Sequence, residues 1–191
     1  MEIPRLVRIA TVNGVPVLLH WSVIALAAFY SIANLDRLSY AIAAILSYLF
    51  ILVIHELGHQ FVANHLGYRV LAVEIYPYHG LCRFDHPATK FEHAKIAWGG
   101  VLGQLLLAVP LITRVILWGY SAYGPLNAVL AICGPTSLAI AVFNLLPIKG
   151  LDGAIAWSFF PLLWRNRRRR TKNDKSALEI FEEIVAKNKR S

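Results

Sequence analysis

The stretch YAIAAILSYLFILVIHELGHQFVANHL, Tyr40–Leu66, carries no formal charge besides Glu56. It is long enough to cross a bilayer as a helix, which takes about 20 apolar residues. Within it lie His55-Glu56-Leu57-Gly58-His59. Helical positions i and i+4 share a face, so both imidazoles point the same way and can hold one Zn²⁺. Glu56, between them, is close enough to act on a water at that ion. An ionisable group at mid-bilayer costs about 2.5–3.5 kcal/mol on insertion scales, so a cluster of them needs a purpose. A metal site supplies one.

Composition extends this reading to the whole chain. Of 191 residues, 57% are hydrophobic and 16% charged, with mean hydropathy +0.53. Soluble domains run near a quarter charged. Segments Val15–Leu35, Tyr40–Leu66, Lys95–Trp118 and Pro125–Pro147 are each long and apolar enough to span. The expected fold class is an all-α polytopic membrane protein with about four transmembrane helices. A short β-hairpin or re-entrant element is expected between the second and third. That element is read from Gly67–Arg83, where Tyr68–Tyr76 is rich in β-branched and aromatic residues before Pro77 and Gly80 interrupt it. Residues 1–14 read as an amphipathic segment at the interface. This divides the chain into a membrane-embedded core, 1–164, and a basic cytoplasmic tail, 165–191. The tail has a short amphipathic helix pattern at Leu178, Phe181 and Val185.

The net charge of +8 is concentrated in the run Arg165, Arg167, Arg168, Arg169, Arg170, Lys172 and Lys175. Beside a membrane segment such a run reads as an anionic-lipid contact, and no nucleic-acid recognition motif accompanies it. Arg5 and Arg8, the cations between spans two and three, and the tail all fall on one side if there are four spans. That places both termini in the cytoplasm of a multi-pass cell-membrane protein. Cys82 and Cys133 have no CxxC partner and read as reduced, structural thiols.

A zinc ion that keeps a position open for water needs a third protein ligand. The end of the last span reads Asn144-Leu145-Leu146-Pro147-Ile148-Lys149-Gly150-Leu151-Asp152-Gly153. Pro147 and Gly150 break the helix, and a carboxylate on the following turn can bend back into the bundle. Taken alone, Asp152 reads as a helix cap and Asn144 as an interhelical hydrogen-bonding residue.

HExxH followed by NxxPxxxLDG resembles the site-2 protease family of intramembrane zinc metallopeptidases, over the core from the first span to Trp157. The resemblance implies that His55, His59 and Asp152 bind Zn²⁺. It further implies that Glu56 is the general base and acid, and that Asn144 holds substrate backbone. The implied substrate is a membrane-spanning protein or peptide. The chain has Pro77-Tyr78-His79-Gly80 where the family often has Pro-x-Gly-Gly, and Gly99-Gly100 where a Gly-Pro pair is common. A minimal core without PDZ or CBS domains is expected. Gly99, Gly100 and Gly103, with Gln104, read as close helix packing. His20 reads as a headgroup-level histidine, and His79, His86 and His93 as solvated ones. Two alternatives compete. One is a membrane zincin whose third ligand is a glutamate on a following helix, though no membrane-embedded glutamate follows His59 and Glu74 and Glu92 lie in the connector. The other is a catalytically inactive metal-binding protein or zinc transporter, for which Glu56 has no use.

Overall fold

A computed structural model describes residues 6–87 and 89–168. The order is β1 (Leu6–Val12), β2 (Val15–His20), α1 (Trp21–Ala33), α2 (Leu38–His65), β3 (Val70–Ile75) and β4 (Gly80–Phe84). Then come α3 (Lys90–Trp118), α4 (Gly124–Ala131), α5 (Ser137–Asn144) and the short α6 (Gly153–Ala156). Residues 159–168 are also helical. The fold is mostly helical with one small sheet. The tail pattern at Leu178, Phe181 and Val185 lies outside the described residues.

Among the described residues, three helical stretches are long and apolar enough to cross a membrane: Leu35–His65, Lys90–Trp118 and Gly124–Asn144. The last joins α4 to α5 through a π-helical turn at Ile132–Thr136. Pro135 explains it, because proline has no N–H to give to the regular ladder and its ring crowds the preceding turn.

The expected first span, Val15–Leu35, divides in two, and the all-α expectation is corrected there. Val15–His20 alternates buried with half-buried residues, a period of two, and forms strand β2. Residues 6–12 likewise form a strand. Asn13 and Gly14, with φ of 51° and 79°, make the left-handed turn that joins the strands. α1 retains only 13 residues. The sheet order is β1-β2-β3-β4, with β2 parallel to β3 and the other pairs antiparallel. Val17, Val73 and Ile75 turn one face of it onto Leu52 and Ala63 of α2. Gln60 Nε2 donates to Val12 O at 2.9 Å and ties the hairpin to that helix.

α2 and α3 meet through glycines. A Cβ on Gly58 would overlap the Gly99 carbonyl, and one on Gly99 would lie 2.5 Å from Gly58 O. Gly103 faces Ile54 O the same way, at 3.0 Å. The two backbones therefore touch, and small residues are what allow it. That seam sets the histidines of α2 directly against α3.

Candidate metal centre

His55 and His59 are buried one turn apart on α2, with ring centroids 4.7 Å apart. Opposite them, α3 presents a matching stripe at Ile96, Gly100 and Gln104, each four residues from the next. His59 Nδ1 donates to Ile96 O at 2.7 Å, and His55 Nδ1 donates to Gln104 Oε1 at 3.0 Å. Gly100 lies between; a Cβ there would come within 2.5 Å of His59 Nε2. Oxygen acceptors behind both rings draw the ring protons to Nδ1, which turns both Nε2 lone pairs forward.

Asp152 completes the group from the far end of the chain. Its Oδ2 lies 2.9 Å from His55 Nε2 and 3.3 Å from His59 Nε2, and the two Nε2 atoms are 3.1 Å apart. The loop that delivers it is wound tightly after α5. Gly150 has φ of 99°, and a Cβ on Gly153 would strike the Leu145 carbonyl. Trp98 Nε1 donates to Ala156 O at 2.9 Å and Trp157 Nε1 to Leu145 O at 2.6 Å, pinning this loop to α3 and to itself. Asp152 occupies the cap position of α6 yet makes no side-chain cap bond; its carboxylate goes to the histidines instead.

These atoms fit a metal ion. With the ring protons on Nδ1, Asp152 Oδ2 is buried beside two lone pairs without a hydrogen-bond donor of its own. A proton can relieve one pair of acceptors, whereas a cation relieves all three. A tetrahedron with arms of about 2.0–2.1 Å has edges of about 3.3 Å, close to the spacings here. Among the described residues, His55, His59 and Asp152 are the group of potential ligands that converges in this way.

Glu56 lines the same cavity, which measures about 820 Å³. Its carboxyl packs against Gly80 of β4, where a Cβ would overlap it. Asn144, at the end of α5, lines this cavity too. So do His79 and His93, which the sequence reading treats as solvated. His79 stacks on Tyr76 at 5.0 Å, and Tyr76 packs on His20 at 5.2 Å. His20 itself receives the Ser22 N–H and helps start α1. Cys82 is buried behind Glu56, and burial, then the Glu56 charge, pushes its thiol up to about 12. A protonated thiol is a poor metal ligand, in keeping with its structural reading.

Three contributions escape a reading of the sequence alone. Gln104 belongs to His55 and not only to helix packing, the Ile96 carbonyl holds His59, and Trp98 anchors the Asp152 loop. A lone glutamine in an apolar span carries no motif, and a carbonyl carries no residue identity.

No family model matches the chain. A Synechocystis protein named as a zinc metalloprotease is 29% identical over 108 residues, 53% of this chain and 26% of that one. A zinc metalloprotease of Methanocaldococcus jannaschii is 28% identical over 155 residues, 77% of this chain and 43% of that one. The solved structure of the site-2 protease from Methanocaldococcus jannaschii superposes with TM-score 0.64 at 22% identity, covering 80% of this chain and 69% of that one. Both curated relatives are zinc metalloproteases by name. The chain spans less than half the length of either curated relative. The superposition makes the arrangement of helices and small sheet a site-2 protease-like fold.

Proposed function

We propose that this chain is a zinc-dependent membrane endopeptidase. His55, His59 and Asp152 hold the ion, Glu56 is the general base and acid, and Asn144 holds substrate backbone. The observation that carries this reading is the convergence of two Nε2 lone pairs and a buried carboxylate oxygen. Zinc held there supplies a Lewis acid that polarises a carbonyl and acidifies water. Glu56 then accepts a proton at its carboxylate and returns it to the leaving amine. Its contact with Gly80 keeps the carboxyl on the cavity side of α2. Strand β4 is an edge strand that also lines the cavity, so an extended substrate can add to it by main-chain hydrogen bonds. The substrate class is a membrane-spanning protein or peptide that unwinds locally beside β4.

Glu56→Gln is expected to keep zinc and to lose cleavage of a co-expressed membrane substrate. Asp152→Ala is expected to lose both. Unchanged cleavage by Glu56→Gln overturns the assignment, and full zinc content in Asp152→Ala removes the third ligand.

The same reading makes the chain a four-crossing protein of the cell membrane with both termini cytoplasmic. β2 pairs with β3, so α1 starts beside the inner end of α2 and rises to the junction where α2 begins. With about 1.5 Å per residue, α1 reaches about 20 Å, so its crossing requires the sheet at its foot to lie below the lipid surface. A reporter in the 118–125 connection should read the outer face, and one at the C-terminus the inner face. Matching signals exclude this topology.

A further inference from the structure

We infer that Gln104 is a positioning residue that locks His55 in its metal-binding tautomer; this rests on the zinc reading above. Gln104 is fully buried in a membrane-crossing helix. Its Oε1 accepts from His55 Nδ1, while its Nε2 is buried without any partner. Two unmet N–H groups in an apolar span cost stability. A methionine fills the same space without that cost. The carbonyl oxygen is therefore what the position uses.

Imidazole chemistry gives the reason. A neutral ring carries one proton, and a ring with its proton on Nε2 cannot bind a cation there. His59 has its proton held on Nδ1 by the main-chain carbonyl of Ile96, which is present whatever the side chain. His55, four residues before His59 on α2, lies beside Gln104, which is eight residues after Ile96 on α3. There the acceptor is a side chain, and so depends on the residue at 104. Gly100, midway, has no side chain to push either ring forward. One histidine is held by the backbone and the other by this amide.

The test uses the full chain in detergent, with zinc alone as probe and a competing chelator to measure affinity. Gln104→Met should bind zinc about 10–100-fold more weakly, the usual cost of removing a partner behind a ligating histidine. Gln104→Glu, which can still accept from Nδ1–H, should stay within about threefold of wild type. In ¹⁵N-histidine-labelled wild type, zinc should shift the His55 Nε2 resonance and leave Nδ1 protonated. Equal zinc affinity in wild type and Gln104→Met overturns the inference, as does a zinc-dependent shift at His55 Nδ1. The nitrogen spectrum decides the matter even if Gln104→Met fails to fold. A wild-type chain that binds no zinc overturns the metalloprotease reading instead.

Discussion

Gly80 and Gly100 face different halves of the site, so adding one methyl to each should separate the two functions. At Gly80 the methyl meets the Glu56 carboxyl, the free end of a flexible side chain. Gly80→Ala should displace that carboxyl and slow cleavage by about 10²–10⁴, the usual worth of a placed general base, while zinc stays bound. At Gly100 the methyl meets His59 Nε2 at 2.5 Å and His55 Cε1 at 2.7 Å, rings that Ile96 and Gln104 hold from behind. Those rings cannot yield, so Gly100→Ala should lose zinc and destabilise the fold by about 1–3 kcal/mol. Zinc content and cleavage rate on the same preparations check both. At this scale the histidine pair was legible because helical spacing alone puts His55 and His59 on one face. Asp152 was not legible from spacing. It lies almost a hundred positions from the pair, and only the resemblance joined them before folding did. Gln104 was illegible because its partner is set by the register of two antiparallel helices, which no local pattern encodes.

Among the elements, the loop from Leu145 to Trp157 carries the most risk for the site, since its α6 is only four residues long. Trp98 binds it to α3 through Ala156 O and through an edge-on contact with Trp157, centroids 5.7 Å apart. Trp98→Phe keeps the ring and removes the donor. It should lower stability by about 0.5–1.5 kcal/mol, the worth of one hydrogen bond. It should also weaken zinc binding severalfold, because Asp152 rides on the loosened loop. Thermal melts and chelator competition read the two effects, and unchanged zinc affinity would show that Gly150 and Gly153 hold the loop unaided. The elements were legible where an apolar run is long enough to span: the runs of α2 and α3 are helices as expected. The N-terminal hairpin was not. Val15–His20 runs into the apolar residues of α1, so a strand and a helix merge into one hydrophobic stretch. The Asn13-Gly14 turn was the signal that divides them.

Across the whole molecule, the proposed zinc ion joins parts that are otherwise held by different means. α2 and α3 are locked by backbone contact along Gly58, Gly99 and Gly103, which needs no metal. The Asp152 loop reaches α2 through the metal group and α3 through Trp98. Removing zinc should therefore loosen the loop and leave the seam intact. At a zinc concentration 100 times the dissociation constant, binding adds about 2.7 kcal/mol to stability, all of it lost on chelation. Hydrogen exchange with and without a chelator should show faster exchange at residues 145–157 and unchanged protection in the α2–α3 seam. Asp152→Ala should melt at the same temperature with or without chelator, since its loop has no ligand left to lose. If chelation instead deprotects α2 and α3 together, the ion is holding the helix pair, and the glycine seam is too weak to carry the fold alone.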